Sequence, residues 1–163
     1  MAITLEEAVT KMNGFAQAVF RDRANAFVDI AAELTGSKLG YFATMNETED
    51  ELIMLGWSRT AMDSCAMIDK PLVYPLEATG LWGDCVRERQ AVITNNYENC
   101  EKETKKGYPD GHVTVVHHMN IPVWEGNHIA GVLGVGNKDV PYESKDAELL
   151  GKYAQAVWSV AKP

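Results

Sequence analysis

Two neighbouring apolar runs constrain the fold of this chain more than any other part of the sequence. Met119–Trp124 and Ile129–Val135 are separated only by the four residues Glu-Gly-Asn-His. A short connection containing glycine and asparagine between two β-prone runs predicts an antiparallel hairpin. Because Ile129–Val135 carries no charge, both of its faces have to be covered by other parts of the protein. We therefore expect this run to be an interior strand of a sheet.

The glycines of the second run indicate a close approach to the sheet. Glycine destabilises a strand by about 0.5–1 kcal/mol relative to alanine, so its repeated use needs a reason. Gly134 and Gly136 lie on the same face of a strand, and a bulky group is expected to approach that face. A packed helix and a bound ligand both fit this pattern. The glycines do not form a dinucleotide-binding fingerprint, because Asn137 and Lys138 follow them instead of a helix start.

The composition predicts one ordinary globular domain over residues 1–163. The apolar fraction is 46%, the charged fraction is 23%, and no apolar run reaches the length of a membrane span. The acidic start of the chain does not resemble a signal peptide, so we expect a cytoplasmic protein that does not bind membranes. A net charge of −8 argues against nucleic-acid binding. Lys102, Lys105 and Lys106 alternate with glutamates, which predicts a solvated loop.

Three cysteines, Cys65, Cys85 and Cys100, are widely spaced and odd in number. This pattern is typical of reduced thiols in a reducing compartment. Their spacing does not match that of a zinc site. We expect neither a disulfide framework nor a structural metal.

The N-terminal segment, residues 1–36, is predicted to be helical and to contribute to dimerisation. Thr4 and Glu7 have the spacing of a capping box, and Gly36 provides a C-terminal stop. Asn13-Gly14 is a possible break. If the segment were unbroken, roughly 31 residues would form a helix of about 46 Å, longer than one small domain can cover. Its apolar positions would then pack against a second subunit, and Phe15 is one of them.

The remaining pattern predicts an α+β domain. Its mainly antiparallel sheet carries the N- and C-terminal helices on one face, and short helices with a long loop form a pocket on the other. The final helix is expected to span residues 144–163 with Ser144 as its N-cap. The other predicted elements are the strands Leu39–Asn46 and Leu52–Ser58, one or two helical turns within Thr60–Met67, an extended Pro71–Pro75, a short helix within Gly80–Gln90, a strand at Ala91–Thr94 and a polar loop from Asn95 to Gly111.

Polar and aromatic residues around this loop are candidates for a ligand site. Two glycines beside lysines between Lys105 and His112 would let the backbone approach a ligand, and Val113–Val116 is predicted to be a helical turn whose N-terminus favours anions. Trp57, Trp82 and Tyr97 are expected to border the same region, although core packing explains tryptophans equally well. The rings of His117 and His118 should point to opposite faces of a strand. With His112 and Cys85 or Cys100, they leave a metal or haem site open.

Taken in order, several motifs resemble the GAF domain family over residues 25–163. The type is that found in bacterial signalling proteins beside PAS, histidine-kinase, diguanylate-cyclase and HD-type phosphodiesterase modules. The motifs are Tyr74-Pro-Leu, Gly80-Leu-Trp-Gly-Asp-Cys-Val-Arg87, Ala91-Val-Ile-Thr-Asn-Asn-Tyr97, Lys106-Gly-Tyr-Pro-Asp-Gly-His112, Ile121-Pro-Val and Gly134-Val-Gly-Asn-Lys138. The resemblance implies dimerisation through terminal helices and a pocket that includes Trp82, Cys85, Asn95, Asn96, Tyr97, Lys106, Gly107 and His112.

The resemblance also shows departures. The family type usually has an aspartate where this chain has Asn96. We expect that no output domain follows Pro163, so a lone domain would relay through a dimer or a partner protein. Bilin-binding relatives use a Cys-His pair that this chain lacks. Relatives that reduce free methionine sulfoxide carry a cysteine where this chain has Trp82. We therefore expect a non-catalytic sensor that binds a small polar molecule, with a thiol-dependent reductase and a haem or metal sensor as alternatives; the identity of any cofactor is unknown.

Overall fold

The computed structural model describes residues 2–58, 73–108 and 112–163. Within these ranges the chain forms four α-helices and six strands, with short 3-10 turns between them. In chain order they are α1 (Leu5–Asn13), α2 (Phe20–Thr35), β1 (Leu39–Met45), β2 (Glu51–Trp57), β3 (Val73–Pro75), α3 (Asp84–Arg87), β4 (Val92–Thr94), β5 (His118–Glu125), β6 (His128–Gly136) and α4 (Ser144–Ala161). The predicted turns within Thr60–Met67 lie outside the described residues.

The strands form one antiparallel sheet in the order β3-β2-β1-β6-β5-β4. Strand β6 pairs with both β1 and β5, so the predicted hairpin and the interior position of its second strand are confirmed. The first hairpin, β1–β2, is confirmed as well. Uncharged residues fill β6 because one sheet face packs on the long helices and the other on the short segments.

The long helices α1, α2 and α4 cover one face of the sheet, and their core includes Phe27, Leu133 and Tyr153. The predicted capping box at Thr4 is present, with Thr4 Oγ1 accepting from the Glu7 amide at 3.2 Å. The break at Gly14 is also present, because α1 ends at Asn13 and α2 begins at Phe20. The unbroken helix of about 46 Å is therefore not formed. Its two apolar stripes belong to two helices that fold against one sheet.

Two local predictions are wrong. The N-cap of α4 is Glu143 instead of Ser144, because the Asp146 carboxylate accepts the Glu143 amide at 2.7 Å and closes a capping box one residue earlier. Val113–Val116 does not form a helical turn, and the amide of Val116 instead donates to the Asn137 side chain at 2.8 Å. The anion site expected at that helix start is therefore absent.

In the described parts of the chain, none of the helices combines the length and the apolar character that crossing a bilayer requires.

Candidate functional site

A cavity of about 380 Å³ opens on the sheet face opposite the long helices. Its floor comes from the ends of β1, β5 and β6, and its walls come from the segment around Trp82 and from the loop that leads to β5. Its lining is mainly aromatic and aliphatic. The lining residues are Leu39, Gly40, Tyr41, Met54, Trp57, Tyr74, Ala78, Gly80, Leu81, Trp82, Tyr97, Lys106, Gly107, Tyr108, His112, Val113, Val115, His118, Asn120, Val135 and Gly136.

The fold brings seven of the ten residues selected from the sequence to this cavity. They come from four separate parts of the chain, which the sheet and its loops place side by side. These residues are Trp57, Trp82, Tyr97, Lys106, Gly107, His112 and His118.

The other three selected residues, Cys85, Asn95 and Asn96, do not line the cavity. Cys85 is fully buried in the core beneath it, and burial raises the pKa of its thiol to about 12. Asn95 bonds both backbone groups of Tyr142, at 2.9 and 3.0 Å, and thereby ties the loop to the start of α4. Sequence motifs place these residues near the pocket, but their side chains support its walls.

The role of Asn96 in the structure is to adopt a left-handed backbone conformation. Its φ of 55° lies in the left-handed region, which asparagine tolerates better than most residues. Its amide donates to His117 Nδ1 at 3.1 Å, and its side chain accepts from Asn99. Asn96 borders a separate surface hollow beside Tyr97 and does not line the cavity.

Aromatic rings form one wall of the cavity. Trp82 meets Tyr41 and Tyr74 edge to face, with ring centroids 5.8 and 5.3 Å apart, and Trp57 lies 6.0 Å from Tyr41. Edge-to-face arrangements are favourable for aromatic pairs. Tyr41 and Tyr74 also line the cavity, although the sequence did not mark them as site residues, because an aromatic residue in a strand is usually part of the core.

A stack of rings on the long loop forms the opposite wall. Tyr108 lies between Tyr97 and His112, with centroid distances of 5.5 and 4.7 Å and near-parallel planes. The ammonium of Lys105 lies 4.6 Å from the Tyr97 ring and extends the stack by a cation–π contact. The side chains of the loop lysines thus contact other parts of the protein. Lys106 donates to the Glu77 carbonyl at 2.9 Å and ties the loop to the first wall.

The hydrogen bond of His112 in this stack shows which ring nitrogen is a donor. Its Nδ1 lies 2.7 Å from the Val113 carbonyl oxygen. A carbonyl can only accept, so Nδ1 carries the proton. In the neutral ring, the other nitrogen, Nε2, is then an acceptor.

A buried carboxylate anchors the loop to α3. Asp84 is 2% exposed; it accepts from Arg87 at 2.7 Å, from Thr104 at 2.8 Å and from Lys102 at 3.1 Å. Burial by itself would raise the pKa of Asp84, but the hydrogen bonds from Thr104, Arg87 and Lys102 outweigh it and the pKa is lowered. Arg87 also donates to the Gly80 carbonyl at 2.6 Å. Lys102, which the sequence placed in a solvated loop, therefore belongs to a network of hydrogen bonds that holds the loop to α3.

A polar bridge crosses the cavity floor. Asn120 on β5 is 1% exposed, and its side-chain oxygen accepts from the Tyr41 hydroxyl on β1. Its side-chain nitrogen lies 3.0 Å from His118 Nδ1. Burial is the main cause that lowers the pKa of His118, to about 4, so this ring is neutral at physiological pH.

Gly134 makes this bridge possible. It pairs with Tyr41 on one side and with Asn120 on the other. A Cβ at position 134 would lie 2.1 Å from a Tyr41 ring carbon and 2.6 Å from the Asn120 oxygen. The bulky group predicted to approach this glycine is thus neither a helix nor a ligand but the tyrosine of the neighbouring strand.

Among the residues that the structure describes, no group of three or more histidine, cysteine, aspartate or glutamate side chains could hold a metal ion. Cys85 and Cys100 are free thiols, and Cys65 lies outside the described ranges.

The sequence model described as GAF domain matches residues 4–160. The chain belongs to the GAF domain family. A curated relative from Methanosarcina acetivorans, the methyl sulfide methyltransferase-associated sensor, is 42% identical over 154 residues, which are 94% of this chain and 15% of that protein. This GAF domain thus spans less than a sixth of that relative.

Solved structures share the fold at low identity. The GAF domain of an Acinetobacter phosphoenolpyruvate-protein phosphotransferase superposes with a TM-score of 0.73 at 16% identity, covering 96% of this chain and 89% of that chain. A free methionine-R-sulfoxide reductase from Neisseria meningitidis, solved in complex with its substrate, gives a TM-score of 0.70 at 12% identity, covering 96% and 87%. At such identities these similarities establish the α+β fold of this GAF domain and nothing about its ligand.

Proposed function

We propose that this protein is a cytoplasmic sensory domain whose aromatic cavity binds a small, flat and largely apolar molecule. The observation that carries the proposal is the cavity itself, about 380 Å³ in volume and walled by aromatic rings on two sides. Ligand pockets are typically lined by apolar and aromatic side chains with a few polar groups that fix orientation. The sequence pattern favoured a small polar ligand, whereas the lining favours a planar body with few polar atoms.

A sensory role is supported by the relative with 42% identity, which is described as a sensor. The fold offers a route for the signal, because the cavity floor and the long helices share one sheet. Arg23 on α2 donates to the carbonyls of Val160 and Lys162 at 2.8 and 3.0 Å, which ties α2 to the end of α4. A ligand that shifts the strands would therefore move these two helices together.

Native mass spectrometry of protein purified from its own host tests ligand binding directly. We expect an additional mass that is retained by the wild type and by Trp124→Leu, whose ring lies outside the cavity. Trp82→Leu removes a cavity wall and should lose the bound molecule, since an aromatic contact of this kind is worth about 1 kcal/mol or more. Wild-type protein that carries no additional mass and does not bind indole would contradict the proposal.

We further propose a homodimer through the helical layer, which would present the signal to a partner protein. The connection between α1 and α2 leaves Phe15 38% and Val19 66% exposed, although both are large apolar residues. Light scattering at micromolar concentration should report a dimer for the wild type and a monomer for Phe15→Asp. Val140→Asp is the matched control, because Val140 is 55% exposed on the connection before α4. A monomeric wild type would exclude this arrangement.

A haem sensor is a second candidate function, favoured by His112. His112 lines the aromatic cavity, and a neutral imidazole nitrogen is a common iron ligand. Titration with haemin should produce a Soret band that His112→Ala abolishes and His128→Ala, remote from the cavity, retains. An unchanged spectrum in His112→Ala would remove this candidate. Thiol chemistry has less support, because burial keeps the Cys85 thiol protonated.

A further inference from the structure

His118 and His112 offer opposite hydrogen-bonding groups to the cavity, a donor and an acceptor. For His118, the polar bridge on the cavity floor determines which group is offered. The Asn120 oxygen accepts from Tyr41, so the Asn120 nitrogen has to face His118. An amide nitrogen can only donate, and His118 Nδ1 is therefore the acceptor. Since the ring is neutral, its single proton is on Nε2. His118 is thus a donor at Nε2.

The Nε2 atom of His118 is available to a ligand. It makes no hydrogen bond to another described residue, and His118 lines the cavity. No buried side-chain nitrogen or oxygen in the described ranges lacks a partner, so this nitrogen has to be reached from the cavity. In His112 the bond to the Val113 carbonyl places a proton on Nδ1, so Nε2 of the neutral ring is an acceptor.

The geometry points to a specificity pair that deepens and rests on the proposed function: His118 donates to an acceptor atom of the ligand, and His112 accepts from a donor atom of the same ligand. The ligand class that satisfies both, between aromatic walls, is a neutral heteroaromatic compound that carries one acceptor and one N–H or O–H group. A purely apolar compound would leave both nitrogens unpaired, which is unfavourable once the ligand has displaced water from them.

The tautomers can be measured without any ligand. In protein labelled with ¹⁵N-histidine, the ring nitrogen shifts should report a proton on Nε2 of His118 and on Nδ1 of His112, assigned with His118→Gln and His112→Gln. Asn120→Asp replaces the donor by a carboxylate that only accepts, so His118 should then carry a proton on Nδ1. Asn127→Asp, at the tip of the β5–β6 hairpin, should change neither ring. Reversed or mixed tautomers in the wild type would overturn the inference whatever the cavity binds.

Three bicyclic probes of similar size test recognition by ligand-observed NMR titration at neutral pH. Indole offers only a donor, isoquinoline only an acceptor, and isoquinolone both. We expect isoquinolone to bind about tenfold more tightly than either of the others, since each buried hydrogen bond adds a factor of several.

Variants should give a crossed pattern. His118→Phe should weaken isoquinoline and isoquinolone about tenfold and leave indole unchanged, whereas His112→Phe should weaken indole and isoquinolone only. His128→Phe, remote from the cavity, should change none of the affinities. Equal binding of all three probes would overturn the pairing and leave the proposed aromatic cavity intact. Failure of every probe to bind the folded wild type would overturn both.

Discussion

The two faces of the sheet are built from the same strands but serve different ends. On the helix face, Phe27, Phe42 and Tyr153 are 0% exposed and pack ring against ring, with centroids 5.2 and 5.5 Å apart. On the cavity face, rings of similar size are spread along two walls and leave about 380 Å³ between them. The aromatic content is comparable, so the difference lies in what covers each face: three long helices on one side, short turns and a loop on the other.

The two faces of the sheet also differ in how their buried polar side chains are hydrogen-bonded. On the helix face, the Tyr153 hydroxyl donates to the Phe27 carbonyl at 3.2 Å, and this bond satisfies the buried hydroxyl. On the cavity face, Asn120 is hydrogen-bonded to both Tyr41 and His118. This chain of bonds leaves the Nε2 donor of His118 without a protein partner among the described residues. Strand β5 alternates between the two, with Met119 and Ile121 on the helix face. A sheet can therefore carry a closely packed core on one face and a cavity with a polar bridge on the other.

The largest expected effect separates the two faces by stability. Phe27→Ala removes a fully buried ring from the helix face and should lower the free energy of unfolding by about 3–5 kcal/mol. Tyr108→Ala on the cavity face removes a ring that is 40% exposed and should cost less than about 1 kcal/mol. Urea unfolding monitored by circular dichroism measures both. Similar losses for the two variants would mean that the cavity walls belong to the cooperative core.

A pH titration of stability isolates His118 on the cavity face. The ring has an ordinary pKa of 6.5 when unfolded and a pKa lowered to about 4 when folded. Between these values the unfolded chain binds a proton that the folded protein does not, so stability is full above pH 6.5 and falls as the pH drops towards 4.

The loss attributable to His118 should amount to about 2–3 kcal/mol. It appears as the difference between the wild type and His118→Gln, which cannot titrate, in urea unfolding at a series of pH values. If the two proteins follow parallel curves, His118 is hydrated instead of buried.

The smallest effect concerns the contact between strands on the cavity face. Gly134→Ala places a Cβ against Tyr41 and Asn120 and should cost about 2 kcal/mol while displacing the polar bridge. Gly151→Ala on α4 is the matched control, because its Cβ would meet nothing within 4 Å and alanine favours a helix by about 1 kcal/mol. Thermal unfolding should move in opposite directions for the two variants. A stable Gly134→Ala with unchanged His118 signals would show that the bridge tolerates a methyl group.

Much of the fold was predictable because its signals are local. The uncharged run Ile129–Val135, the capping box at Thr4 and the break at Gly14 each depend on neighbouring residues, and each is confirmed. The error at Ser144 is local, because the Asp146 carboxylate accepts the amide of Glu143, three positions away. The error at Val113–Val116 arose where a distant partner competes for a backbone group. Asn137 takes the amide of Val116 from 21 positions away.

The cavity likewise has residues that the sequence could predict and residues that depend on distant partners. Its aromatic and histidine residues on the loops could be selected from residue type and motif, and seven of the ten lie together. Tyr41 and Asn120 could not, because a tyrosine and an asparagine 79 positions apart become partners only when β6 aligns β1 and β5 on either side of Gly134. The chain by itself determined the elements, the glycine gap and the residue types near the site. The tertiary structure alone decided which side chain fills that gap and which group of Asn120 faces His118, since hydrogen bonds between strands depend on register.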